Sequence, residues 1–194
     1  MRKWIKIIAM FLMLLMISTY FAIAQEPIRI GYVGPLTGSV ALVGNEALKG
    51  ATLAVEQINA AGGVLGRPFK LYASDDKCNP AESVSATRKI ITQDKVIATI
   101  GHGCSSATLA AMPVNEQEKI PNIVESSTSP MITVRAGAGG NKWIFRANLP
   151  DDINATVFAK MIVEVGGKKV SFLLTNDDWG RGLATSFRDR KSVV

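Results

Sequence analysis

The chain has 194 residues, of which 22 are Lys or Arg and 16 are Asp or Glu, so its net charge at pH 7 is +6. This modest excess forms no basic stripe interleaved with aromatic residues, and the composition therefore gives no indication of nucleic-acid binding. The length suffices for one hydrophobic core, or for one lobe and part of another.

The first 24 residues are typical of a secretory signal peptide. Residues 1–6 are basic, an apolar run of 11 residues covers 7–17, and the Ala-Ile-Ala sequence at 22–24 provides a cleavage site. The apolar run is too short for a stable membrane span, although an uncleaved anchor remains the alternative. Removing residues 1–24 lowers the net charge to +3. We therefore expect an exported protein that is localised in the periplasm.

Strands alternate with amphipathic helices along the rest of the chain. This order predicts right-handed crossovers and a parallel sheet, which is the α/β fold class. The final residues stop within such a unit, so we expect the chain to be incomplete. The predicted strands are 27–34, 69–74, 96–100, 120–124, 143–146 and 170–174, and the predicted helices cover 48–58, 80–93, 105–118, a segment from 151 to about 165, and a segment from about 182.

Cys78 and Cys104 are the only cysteines, and in an oxidising compartment such a pair is more often bridged than free. A nucleophile at Cys104 or Ser105 is the alternative, and it would make the protein a secreted hydrolase. His102, the one histidine, is the only available base, and the G-x-S-x-G pattern is absent. One histidine and two cysteines do not supply a metal-ligand set. We therefore expect neither an enzyme nor a metal site.

Nucleotide binding is also disfavoured. Gly101 and Gly103 begin a dinucleotide-like pattern, but Ser106 occupies the third glycine position, no acidic residue follows at the expected distance, and the phosphate-loop lysine motif is missing. Asp75 and Asp76 are interpreted as a solvated turn before a helix rather than as a catalytic pair. No cofactor is predicted.

Hydroxyl side chains cluster after two of the predicted strands, where open parallel sheets bind ligands. Ser105 and Ser106 open a helix, and a second group lies at 126–128. Hydroxyls and free N–H groups at a helix start attract a carboxylate, whereas a plain N-cap is the alternative for the serine pair. Trp179, beside Asp178, either covers a ligand or packs between lobes.

Five stretches together resemble one family: IRIGYVGPLTGSVALVGNEALKGATLAVEQINAAGGVLGRPFKL, DDKCNPAESV, GHGCSSATLAAMPV, IPNIVESSTSP and NDDWGRG. The chain resembles, over 28–182, the periplasmic leucine/isoleucine/valine-binding proteins, which are type I solute-binding proteins of ABC importers. The resemblance implies two α/β lobes with the ligand between them. We then expect a signal peptide at 1–24, a ligand-binding first lobe at 25–146, and the incomplete beginning of a second lobe at 147–194.

The resemblance also implies a disulfide between Cys78 and Cys104 and a set of ligand contacts. Glu125 stands where many relatives have a small or apolar residue, which could alter the preferred ligand charge. Val43 stands where some relatives have a large aromatic residue. The implied ligand contacts are Ser105, Ser126, Ser127, Thr128 and Trp179, and further candidates are Ser106, Val43 and Asp178.

The implied function is capture of a branched-chain or other small amino acid, or a related carboxylate, and its delivery to an ABC transporter permease. Lobe closure around the ligand requires no covalent chemistry and no cofactor. We expect a monomer, and weak binding by this chain alone. A ligand-sensing receptor domain of the same fold, and a binder of an amide or aromatic acid, remain alternatives.

Overall fold

The computed structural model describes Trp4, residues 26–137 and residues 140–189. The predicted signal peptide, apart from Trp4, lies outside this part of the chain, as do residues 190–194. None of the helices in the described part is both long and apolar enough to cross a membrane. The elements are β1 Ile28–Gly34, α1 Ala41–Ala60, β2 Phe69–Asp75, α2 Pro80–Thr92, β3 Ala98–Gly101, α3 Ser105–Glu118, β4 Asn122–Val124, α4 Pro130–Arg135, β5 Ile144–Arg146, α5 Asp151–Glu164 and α6 Asp178–Asp189.

The five strands form one parallel sheet in the order β2-β1-β3-β4-β5, so the predicted fold class is confirmed. Successive strand residues point to opposite faces, and β1 shows which helices lie on each. A Cβ on Gly31 would lie 3.1 Å from Ile90 of α2. The next residue, Tyr32, donates a hydrogen bond to the Gly44 carbonyl of α1 at 2.9 Å. The sheet is therefore covered by helices on both faces.

The buried core lies on the face of α2, α3 and α4. It consists of two apolar clusters, one around β1 and α2 and the other around β4 and β5, and α3 contributes to both. This packing fixes the position of the α3 N-terminus at the edge where the strands end. The first cluster contains Val33, Ala86, Ile90, Ile91, Val96 and Val114, and the second contains Leu109, Met112, Val124, Ile132 and Ile144.

Local sequence signals define α2 closely. Asn79 is its N-cap, and the Asn79 Oδ1 atom accepts hydrogen bonds from the backbone N–H groups of Ala81 at 2.9 Å and Glu82 at 3.1 Å. Pro80 occupies the first helical position, where its missing N–H costs nothing. The predicted helix start is confirmed. The short α4 helix was not predicted, because a Ser-Thr-Ser-Pro sequence is as typical of a loop as of a helix start.

The predicted strand at 170–174 is wrong. This segment has no regular secondary structure, and Leu173 is fully exposed. A strand requires a neighbouring strand for its backbone hydrogen bonds, and the described residues provide none there. The segment contacts α6 instead, where the Phe172 and Phe187 rings lie 4.5 Å apart.

Candidate functional site

The loops that follow β1, β3 and β4 meet at the carboxyl edge of the sheet. The strand order reverses between β1 and β3, and such a reversal opens the crevice in which parallel sheets bind ligands. A Cβ on Gly103 would lie 3.0 Å from Pro35 and 3.7 Å from the Ser126 hydroxyl oxygen. The absence of a side chain at Gly103 therefore allows the three loops to approach one another.

The α3 N-terminus presents two hydroxyls to this crevice region. Its N-cap is Cys104, whose side chain makes no capping hydrogen bond, so the capping alternative for the serine pair is wrong. The Ser105 Oγ atom accepts a hydrogen bond from the Ser129 N–H at 3.2 Å, and the Ser106 Oγ atom accepts one from the Asp178 N–H at 3.2 Å. Both hydroxyls act as acceptors within the fold, so each retains a proton that can be donated.

Residues 126–129, here called the hydroxyl loop, follow β4. Ser127 is 2% exposed, and its hydroxyl donates to the His102 carbonyl at 2.6 Å and pairs with the Thr108 hydroxyl at 2.7 Å. The Ser127 hydroxyl therefore supports the fold, and its proton is already donated to the His102 carbonyl. The Thr128 hydroxyl donates to the Asp151 carboxylate at 2.8 Å, so toward any further partner it acts as an acceptor.

The carbonyl groups of the hydroxyl loop are held by the segment that leaves β5. The Arg146 guanidinium donates to the carbonyls of Thr128 at 3.3 Å and Ser129 at 2.7 Å. The Asn148 side chain donates to the Ser127 carbonyl at 3.1 Å, and the Asp151 N–H donates to the Thr128 carbonyl at 2.9 Å. Burial lowers the pKa of Arg146, and the nearby carboxylates of Asp151 and Asp152 oppose this shift. The sequence analysis missed Arg146 because its partners are backbone atoms.

We expect Arg146→Met to lower the free energy of unfolding by about 2 kcal/mol, because two hydrogen bonds from a charged donor are lost. Arg146→Lys restores only part of this stability, since one ammonium cannot reproduce the two-pronged geometry of the guanidinium. Urea denaturation measures the stability, and backbone amide NMR shifts at 126–129 report the loop. Unchanged shifts in the Met variant would show that Arg146 does not position the hydroxyl loop.

A buried polar network lies beneath the crevice. Asp76 is fully buried, and its Oδ2 atom lies 2.9 Å from His102 Nδ1. The His102 Nε2 atom lies 3.3 Å from the Thr87 hydroxyl, so both ring nitrogens are engaged within the fold. The interpretation of Asp75 and Asp76 as a solvated turn is therefore wrong for Asp76. It failed because no pattern in the sequence shows that His102 packs against this turn.

Asp75 ties the loop after β1 to the end of β2. Its carboxylate accepts hydrogen bonds from the backbone N–H groups of Leu36 at 2.8 Å and Lys77 at 2.9 Å, and from the Thr37 hydroxyl. Burial raises the pKa of Asp75, but these hydrogen bonds outweigh it and hold the pKa below its ordinary value. The ionised form thus supports the fold, and this contribution is lost as the pH falls through the lowered pKa.

Cys78 and Cys104 form the predicted disulfide, with 5.4 Å between their Cα atoms. The bridge joins the turn after β2 to the N-cap of α3. The Cys78 N–H also donates to the second oxygen of Asp76 at 2.8 Å. The disulfide leaves no thiol at Cys104 to act as a nucleophile.

Glu125 directly follows β4, and its carboxyl group lacks a full set of hydrogen-bond partners. Its Oε2 atom accepts a hydrogen bond from the Ser126 N–H, whereas the shielded Oε1 atom and the Ser126 hydroxyl make no well-directed hydrogen bond to a described residue. Burial raises the pKa of Glu125, and the hydrogen bond from the Ser126 N–H offsets this only in part. The contribution of Glu125 to stability is therefore greatest at low pH and is lost as the pH rises through its raised pKa.

The remaining residues predicted to contact the ligand lie in the first turns of two helices. Asp178 and Trp179 begin α6, where Asp178 pairs with Arg181 at 3.1 Å and Trp179 is 38% exposed. The contact between Asp178 and Ser106 brings α6 against α3. Val43 lies in the first turn of α1 and is 52% exposed. The structure thus brings α3 together with the hydroxyl loop and with α6, and it leaves Trp179 and Val43 accessible.

The fold is that of an α/β protein with a polar crevice at the carboxyl edge of its parallel sheet. Residues 27–190 match the family model described as "Periplasmic binding protein", and the chain belongs to this family.

An "Amino acid binding protein" of Pseudomonas aeruginosa is 39% identical over 166 residues, which cover 85% of this chain and 43% of that protein. A "Leu/Ile/Val-binding protein" of Escherichia coli is 33% identical over 165 residues, which cover 84% of this chain and 44% of that protein. The crystal structure of a branched-chain amino acid transporter substrate binding protein from Streptococcus pneumoniae, in complex with isoleucine, has a TM-score of 0.77 and 32% identity, and the match covers 84% of this chain and 46% of that one. The chain thus spans less than half the length of these relatives.

Proposed function

We propose that the chain is part of an extracytoplasmic solute-binding protein of an ABC importer. It captures a small amino acid in the periplasm and delivers it to a permease. In this proposal residues 25–146 are the first lobe, residues 147–194 begin the second lobe, and the ligand lies between the two. The observation that carries the proposal is the opposite hydrogen-bonding polarity of the Ser105 and Thr128 hydroxyls.

This polarity suits an α-amino acid. Ser105 retains a proton to donate and stands at the start of α3, where backbone N–H groups and the helix dipole favour a carboxylate. Thr128 donates to Asp151 and can accept from an ammonium group, and the charge of Asp151 strengthens that preference. The family membership and the names of the relatives, which refer to amino acids, support the same ligand class.

The function requires binding without reaction. The disulfide occupies Cys104, and both ring nitrogens of His102 are already engaged, so neither is poised for nucleophilic or base catalysis. The conformational change in this proposal is closure of the two lobes around the ligand. It is driven by the greater affinity of the ligand for the closed state.

We expect amino-acid titration of the ¹⁵N-labelled chain to shift the NMR signals of Ser105, Ser106 and the hydroxyl loop. NMR detects weak as well as tight binding, so the outcome does not depend on the affinity. The panel contains leucine, asparagine, an aliphatic amide and an aromatic acid. Shifts confined to other regions, or none with any compound, would contradict the proposed function.

Ser105→Ala should weaken amino-acid binding about 10- to 100-fold, the loss expected for one hydrogen bond to a charged group. Ser85→Ala is the matched control, since Ser85 lies on the exposed face of α2 and bonds only to its own helix. Dissociation constants from the NMR titration provide the comparison. If the Ser105→Ala and Ser85→Ala variants bind the amino acid equally tightly, Ser105 does not contact the ligand.

A further inference from the structure

Glu125 has a carboxyl group without a positively charged partner among the described residues. None of the ion pairs in this part of the chain includes it. His102 is bonded to Asp76 and Thr87, and Arg146 is bonded to the carbonyls of the hydroxyl loop. A shielded carboxylate oxygen without a donor is costly, so Glu125 Oε1 would be stabilised by a donor group that approaches it.

Ser126 provides a second unpartnered group beside the first. Its hydroxyl oxygen is shielded and makes no well-directed hydrogen bond to a described residue. The same oxygen would lie 3.7 Å from a Cβ on Gly103, and therefore stands where the loops after β3 and β4 meet. Two adjacent residues at the carboxyl edge thus have unused hydrogen-bonding capacity.

Tyr32 shows which end of the crevice Glu125 occupies. The Tyr32 hydroxyl donates to the Gly44 carbonyl in the first turn of α1, which also carries the exposed Val43. Val124, the last residue of β4, packs in the apolar core on the face of α2, α3 and α4. Because successive strand residues point to opposite faces of the sheet, the next residue, Glu125, is directed to the α1 side, which Tyr32 also occupies. Glu125 therefore lies toward α1, whereas Ser105 is tied to Ser129 at the α3 end of the hydroxyl loop.

We propose that Glu125 is a specificity-determining residue that selects amino acids whose side chains carry an N–H donor, an amide or an ammonium group. The inference rests on the proposed function, in which Ser105 and Thr128 hold the α-carboxylate and the α-ammonium group. Glu125 Oε1 accepts the hydrogen bond from the ligand side chain, and the Ser126 hydroxyl provides a second contact. An aliphatic side chain leaves both groups unpartnered and is rejected for that reason.

The test compares ligands of similar size that differ in their side-chain donor. Leucine and asparagine have nearly the same shape, ornithine adds a cation, and aspartate adds a second carboxylate. We expect asparagine or ornithine to bind the chain at least 10-fold more tightly than leucine, and aspartate to bind most weakly. NMR titration gives the dissociation constants, and the shifts at Ser105 and Thr128 show that each ligand occupies the same site. A preference for ornithine over asparagine identifies a cationic ligand, and the reverse identifies an amide.

Two variants separate the role of Glu125 from general effects on the fold. Glu125→Leu should favour leucine over asparagine, and Glu125→Gln should keep asparagine binding but lose any preference for ornithine. Thermal unfolding of both variants checks that they are folded, and Glu118→Gln, at the distant end of α3, is the control for a charge change. If leucine binds as tightly as asparagine and ornithine, and Glu125→Leu changes nothing, the specificity role is overturned while the proposed function stands. If no amino acid shifts Ser105 and Thr128, both fail.

Discussion

Replacing Cys78 and Cys104 together with serine is expected to lower the free energy of unfolding by about 3.5 kcal/mol, the chain-entropy value for a closed loop of this size. The bridge spans a sequence separation of 26 residues, and its Cα–Cα distance of 5.4 Å is within the usual range for disulfides. Urea denaturation of the variant and of the oxidised chain measures the difference.

The wild-type chain in a reducing agent is the control for this prediction. It should unfold at the same urea concentration as the double serine variant, which should itself be insensitive to the reducing agent. A variant with an unchanged midpoint would mean that the bridge contributes nothing. Because the disulfide also holds the N-cap of α3, the NMR signals of Ser105 and Ser106 should shift in the variant.

Asp76→Ala is expected to reduce the free energy of unfolding by about 3–5 kcal/mol, because it leaves buried His102 and the Cys78 N–H without their partner. Asp76 is fully buried, and its two oxygens are bonded to these two groups. Urea denaturation at neutral pH measures the loss.

Asp76→Asn separates the charge from the hydrogen bonds in this network. The amide oxygen can still accept from the Cys78 N–H, so we expect an intermediate loss of stability. Glu56→Ala, on the exposed face of α1, is the surface control and should change stability by less than about 0.5 kcal/mol. An Asp76→Ala variant as stable as this control would show that the buried network does not support the fold.

Much of the fold was predictable because its signals are local. Alternating apolar residues that end in glycine predicted β1, and Asn79 with Pro80 predicted the start of α2. The parallel sheet followed from the regular alternation of strands and helices. The strand predicted at 170–174 was wrong because an apolar run only favours the extended conformation. A β-strand also needs a neighbouring strand for its backbone hydrogen bonds.

The candidate site was predictable in position but not in detail. Hydroxyl residues after β3 and β4 were expected near one another, and the hydrogen bond between Ser129 and Ser105 joins them. The hydroxyls differ in their hydrogen-bonding roles, however. The Ser127 hydroxyl is buried and donates to the His102 carbonyl, whereas the Thr128 hydroxyl donates to Asp151 and is left as an acceptor. Two adjacent hydroxyl residues look alike in a sequence, and only their neighbours in space decide which is free.

Apart from α4 and the strand wrongly predicted at 170–174, the sequence by itself determined the order of the strands and helices, the edge of the sheet where the loops meet, and the presence of one cysteine pair. Each of these depends on residues close together in the chain or on a simple periodic pattern. The tertiary structure alone decided that Asp76 is buried against His102, that Arg146 holds the hydroxyl loop, and that Glu125 Oε1 has no hydrogen-bond partner in the described part of the chain. Those outcomes depend on burial and on contacts between residues distant in sequence, because the environment of a polar group sets both its charge state and the partner it requires.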